Sequence, residues 1–145
     1  MRVLGLDHGE RRIGVAVSDA TGTIATPHSV IDRRGIDVSE VLRSVIDEYD
    51  IEVIVVGLPL HLSGDEGASA QSARAFAESV AEATGLPVAL QDERYTTVTA
   101  EGALIEGGVR RRERRKIRDK VAAAVMLQGY LDSKRSEDDD GDRQR

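Results

Sequence analysis

Three acidic positions of this chain have the types and placement for metal-assisted phosphate chemistry. Asp7 closes the apolar run Val3-Leu-Gly-Leu6, Asp92-Glu93 closes a run beginning at Val88, and Asp119 stands at the head of a late helical pattern. A carboxylate at the end of a buried strand is costly unless another charge compensates it. Three in one cleft raise one another's pKa, and a divalent cation removes that cost. Two cations about 3.5–4 Å apart are the usual device for in-line cleavage of a phosphodiester. The chain has no cysteine, and His8, His28 and His61 are scattered. The metal expected is therefore a hard ion held by oxygen, Mg²⁺ or Mn²⁺.

Taken singly, each acid has a plainer role: Asp7 as a turn residue with Gly9, Glu93 as a surface partner of Arg94 or Arg12, and Asp119 as a helix-start residue among Arg115, Arg118 and Lys120. Asp19 and Asp92 read as turn or cap residues. The elements between the acids decide whether the group is real. Residues 3–7 and 13–18 are apolar runs joined by a short loop, which predicts a hairpin. Residues 24–31 predict a third strand, placed at an edge by Pro27. Val38, Val41, Leu42, Val45, Ile46 and Tyr49 recur at helical spacing over 36–49, with Asp37 or Ser39 as the cap. Residues 52–57 read as a buried parallel strand. The loop 58–67 reads as irregular and mobile, able to close over a substrate.

A second helix is predicted over 70–84, ended by Gly85 and Pro87, followed by a parallel strand from Val88 to about Asp92-Glu93. A third helix is capped by Thr96 or Thr97 and stops at Gly107-Gly108; the last runs from about Lys116 to Asp132, apolar at Ile117, Val121, Ala124, Val125, Leu127 and Leu131. The tail 133–145 has no apolar residue and reads as disordered. At 145 residues the chain is one α/β domain, 1–132, with a mixed five-stranded sheet flanked by helices, the layout of a ribonuclease H-like fold. That layout brings Asp7, Asp92-Glu93 and Asp119 to one sheet edge, where sites of open α/β sheets gather. ATPases of the actin–hexokinase type share the opening hairpin but need two such lobes, and this chain has room for one.

No run is long and apolar enough to span a membrane, and no signal peptide is visible, so a cytoplasmic location is expected. The net charge of −6 hides an asymmetry: residues 110–120 hold eight basic and two acidic side chains. Distribution governs polyanion binding more than the sum. Arg111, Arg112, Arg114, Arg115 and Lys116 are expected to hold nucleic-acid phosphates, with Arg12 and Arg94 steadying the site or the scissile phosphate. Tyr95 is the aromatic placed to stack on a base; Tyr49, Phe76 and Tyr130 read as core.

Four ordered stretches carry a resemblance: Gly5-Leu-Asp-His-Gly with Arg12-Ile-Gly-Val-Ala-Val-Ser-Asp19; Val56-Gly-Leu-Pro59 with Gly64; Asp92-Glu-Arg-Tyr-Thr-Thr97; and Asp119-Lys-Val-Ala-Ala with Leu127-Gln-Gly-Tyr-Leu-Asp132. Over residues 2–132 the chain resembles the YqgF family, also called RuvX, of Holliday junction resolvases or pre-16S ribosomal RNA nucleases. The resemblance implies a ribonuclease H-like fold and places the family's acidic residues on Asp7, Glu93 and Asp119, as catalytic groups and metal ligands. It implies a nuclease maturing the 5′ end of small-subunit ribosomal RNA, or one resolving branched DNA, acting as monomer or homodimer. A non-catalytic nucleic-acid-binding module of the same fold is the alternative. Arg118 departs from the apolar residue common before the last aspartate, and puts a cation beside Asp119.

Overall fold

Five runs rich in Val, Ile and Leu form β1 (Arg2–His8), β2 (Arg12–Ser18), β3 (Ala25–Asp32), β4 (Ile51–Leu58) and β5 (Val88–Asp92). The structure, a computed structural model, describes the backbone of residues 1–93 and 111–143 and the side chains of 1–93 and 113–137. The helix expected after Thr96 or Thr97 lies outside the described residues, as do Arg94 and Tyr95 and the side chains of Arg111 and Arg112. The sheet order is β3-β2-β1-β4-β5. The β1–β2 and β2–β3 pairs are antiparallel; β1–β4 and β4–β5 are parallel. As predicted, β3 is an edge strand, and its register shifts where Ala16 faces Pro27.

Helices α1 (Val38–Tyr49) and α2 (Ala68–Thr84) cover one face. Both crossovers step the same way across the sheet, and right-handed connections put both helices on one side. Asp37 caps α1 by accepting from the Ser39 and Glu40 amides at 3.1 and 3.4 Å. Gly85 ends α2 at φ 71°. Leu4, Leu6, Ile13, Val15, Ile54 and Val56 meet Leu42, Val45, Ala73, Ala77 and Val80 in this layer. Tyr49 and Phe76 pack against it, in the core role expected of them. The loop 58–67 is more regular than its composition suggests. Leu60 bridges Glu66, the Gly64 amide donates to the His61 carbonyl at 2.8 Å, and Arg74 holds Glu66 at 2.5 Å.

The opposite face is covered by α3 (Arg111–Arg143). It begins before Lys116 and continues past Asp132. Exposed ion pairs of Arg135 with Asp132 and Lys134 with Glu137 span its successive turns. Charged side chains one turn apart thus extend a helix that composition alone ends at Asp132. The buried stripe of α3 is also rotated from the expected one. Ala122, Ala123, Ala124, Met126, Leu127 and Leu131 are buried, while Ile117, Val121 and Val125 are half-buried.

Strand glycines set that rotation. A Cβ on Gly5 would lie 2.9 Å from the Leu127 Cβ, and one on Gly14 would lie 2.1 Å from the Asp119 carbonyl oxygen. Asp119, Ala123, Leu127 and Leu131 repeat every four residues along α3, so Asp119 heads the stripe that faces the sheet. Because Gly14 would meet backbone rather than a pliable side chain, Gly14→Ala is expected to cost about 1–3 kcal/mol. Thermal unfolding measures it, and an unchanged Tm would mean that α3 does not seat on β2 here. Gln128 clips the same helix to the sheet edge, accepting from the Ala25 amide and donating to the Thr23 carbonyl, each at 2.9 Å.

Candidate active site

Alternation along β1 puts Leu4 and Leu6 under α1 and α2, and Val3, Gly5 and Asp7 under α3. Asp7 faces Gly14 across the β1–β2 ladder, and Arg12 lies two residues along on the same face. Beyond β5, the Glu93 amide donates to the Leu58 carbonyl at 3.2 Å, which extends the parallel pairing by one residue. Three elements thus deliver side chains to one edge: Asp7 from β1, Glu93 from the end of β5, and Asp119 from α3.

The Asp7 and Glu93 carboxyls lie within side-chain hydrogen-bonding reach of each other, an approach that favours one shared proton over two charges. Burial raises the Asp7 pKa, and the Asp119 charge raises it further. Burial, then the Asp7 charge, pushes Glu93 up to about 9. Asp119 answers differently. Arg12 donates from Nε to its Oδ2 at 2.6 Å, with the two side chains 24% and 23% exposed. Asp119, expected at the start of its helix, lies in the third turn of α3 instead, and Arg12 compensates its charge.

Among the described residues no three acidic or histidine side chains close on a single point as a ready-made metal cage. The two that do meet, Asp7 and Glu93, are hard oxygen donors without thiolate or imidazole. That donor set fits Mg²⁺ or Mn²⁺, since Mg²⁺ keeps several waters and needs only one or two carboxylates. His8 follows Asp7 but faces the other layer. Its ring stacks on Phe76 at 4.5 Å and meets Arg33 Nη1 at 2.6 Å, and burial with the Arg33 charge lowers its pKa.

A family model described as "RuvX: Holliday junction resolvase" matches residues 1–133. The chain belongs to the RuvX family. A relative from Geobacillus thermodenitrificans, named "Putative pre-16S rRNA nuclease", is 49% identical over 138 residues, covering 93% of this chain and 100% of that one. One of the same name from Halothermothrix orenii is 45% identical over 132 residues, covering 90% and 94%. Among solved structures, Thermus thermophilus RuvC with a Holliday junction substrate aligns with a TM-score of 0.52 at 18% identity, covering 92% of this chain and 96% of that one. The shared fold is ribonuclease H-like.

In this RuvX chain the first-choice acids Asp7 and Glu93 meet, and Asp119 stands close enough for Asp7 to sense its charge. Asp19 is a turn residue, as read: the Thr23 and Ile24 amides and the Thr21 hydroxyl hold its carboxyl down to about 2. Arg114, Arg115 and Lys116 lie exposed on α3 ahead of Asp119.

Reasoning from charge alone misses Gly57. A Cβ there would lie 2.2 Å from Glu93 Oε2, so the bare backbone of β4 makes room for the carboxylate. A glycine inside an apolar strand signals close approach, and that signal was in the sequence. Gly57→Ala is expected to push Glu93 off Asp7. Cleavage should fall at least about tenfold, while Tm stays near wild type because a flexible side chain gives way. Full activity in Gly57→Ala would mean that Glu93 need not sit where it does.

Proposed function

We propose that this chain is a divalent-metal-dependent nuclease that trims the 5′ end of precursor 16S ribosomal RNA. The observation that carries this reading is the pair of half-buried carboxyls, Asp7 and Glu93, brought together beside Asp119 at the carboxyl edge of the sheet. Two carboxyls held together are unfavourable when both are charged, a pattern typical of functional sites. The names of the curated relatives support the RNA substrate.

A bound divalent cation would be held by Asp7 and Glu93, with Asp119 in reserve, and would supply charge neutralisation and an activated water for in-line attack. The chain's own residues do the rest. Gly57 and Gly14 fix how closely β4 and α3 approach the acids. Arg12 balances Asp119 and presents a cation beside the reacting phosphate. The exposed cations at the start of α3 hold the backbone of the strand without reading its sequence. Arg94 and Tyr95 are assigned here to phosphate and base contact on the sequence pattern.

Branched DNA is the second reading, favoured by the description of the family model. The test is cleavage of a precursor ribosomal RNA fragment and a synthetic four-way DNA junction, side by side, in Mg²⁺ and Mn²⁺. Cutting of the RNA alone supports ribosomal RNA maturation. Paired symmetric cuts in the junction support resolution and require a two-fold dimer. Binding without cleavage of either would make the chain a nucleic-acid-binding module.

A further inference from the structure

A cavity of about 230 Å³ opens between β3 and α3, on the far side of Arg12 from Glu93. Arg12, Lys116 and Lys120 line it with Ser29, Val30, Asp32 and Ile117. Its electrostatics are one-sided. Asp32 is already engaged, accepting from the Arg34 amide at 3.0 Å and from its guanidinium at 3.3 and 3.4 Å. Arg12 is shared with Asp119. Lys116 and Lys120 have no ion-pair partner among the described residues. Two lysines and one arginine thus line a small concave space whose one acidic residue is spoken for.

We propose that this cavity seats a backbone phosphodiester of the nucleic-acid strand, next to the one being cut. The inference rests on the nuclease reading and extends it, because it fixes the path of the strand. From the cations at the start of α3, the backbone runs over the β3 edge and past Arg12 to the carboxylates. The cavity is smaller than the roughly 300–1,000 Å³ of a drug-sized pocket, which suits a phosphate group better than a stacked base. Guanidinium is the group that best shares itself between a carboxylate and a phosphate. A phosphate seated here competes with Asp119 for Arg12, so filling the cavity frees Asp119 to turn toward Asp7. Lys120, beside Asp119 in sequence, becomes a strand-binding residue.

The test is fluorescence anisotropy of a labelled single-stranded RNA with the full chain in EDTA, across a KCl series. Lys116→Gln/Lys120→Gln is compared with wild type. Lys134→Gln, far along α3 and paired with Glu137, is the control. The double variant is expected to bind several-fold more weakly, with the slope of log K against log salt reduced by about 0.7 per lost contact. Ser29→Asp, which adds a carboxylate to the cavity wall, should weaken binding as well, and Lys134→Gln should not. Unchanged affinity and slope in both cavity variants overturn the proposal, as does an equal loss in the control. Cleavage by the wild-type chain is scored separately. If it persists while the cavity variants bind normally, the nuclease reading stands and only the path of the strand is wrong.

Discussion

Replacing Asp7 by Asn is expected to abolish cleavage, lowering kcat by at least about a thousandfold, while leaving the nucleic acid bound. Asn keeps the shape and one hydrogen-bonding oxygen but loses the charge that would hold a hard cation. Apart from Arg94, the cations proposed to hold the strand lie on β2 and α3, and none of these depends on Asp7. The same substitution should stabilise the metal-free protein, because it removes the charge that raises the Glu93 pKa. Loss of activity with gain of stability marks a functional acid and excludes simple unfolding. Cleavage rate, strand affinity and Tm of the purified variant check this together. Wild-type cleavage in Asp7→Asn would remove Asp7 from the active site.

The metal-free protein is expected to lose stability as pH rises. Folded, Glu93 keeps its proton up to about 9; unfolded, it releases it near 4.5. Between those values the folded chain binds a proton that the unfolded chain lacks, so stability is full below about 4.5 and declines toward about 9. The raised Asp7 pKa acts in the same direction. Asp19 has the opposite sign: its depressed pKa lends stability above the ordinary carboxylate range, lost only as pH falls toward about 2. It leaves the neutral and alkaline window untouched. Tm in EDTA should therefore drop by several degrees between about pH 7 and pH 9, above the range in which the lowered pKa of His8 acts in the opposite sense. Added Mg²⁺ should restore most of the loss at the alkaline end, and Glu93→Gln should flatten the profile. A flat wild-type profile would mean that Asp7 and Glu93 do not share a proton.

Much of this was legible in the residues. Apolar runs with turn signals between them located all five strands, and Pro27 marked the edge. Asp37 and Gly85 set helix ends through local chemistry. The approach of Asp7 and Glu93 followed from topology, since β4 lies between β1 and β5 and all three end at one edge. What resisted reading was set by contacts distant in sequence. The rotation of α3 depends on Gly5 and Gly14, more than a hundred residues earlier, so its own apolar pattern placed Ala124, Leu127 and Leu131 in the core but missed Ala122, Ala123 and Met126. The partner of Asp119 proved to be Arg12 on β2 rather than a neighbour in the basic segment. α3 runs past Asp132, where exposed charged pairs over 132–137 span a stretch that a composition rule treats as disorder.

Titration of Mn²⁺ followed by electron paramagnetic resonance tests most directly whether Asp7 and Glu93 together hold a divalent cation. Wild type is expected to bind Mn²⁺ in competition with Mg²⁺, and Asp7→Asn and Glu93→Gln should each weaken that binding at least about tenfold. Equal Mn²⁺ affinity in wild type and both variants would contradict this, leaving the two carboxyls as a half-buried pair with no part in metal chemistry.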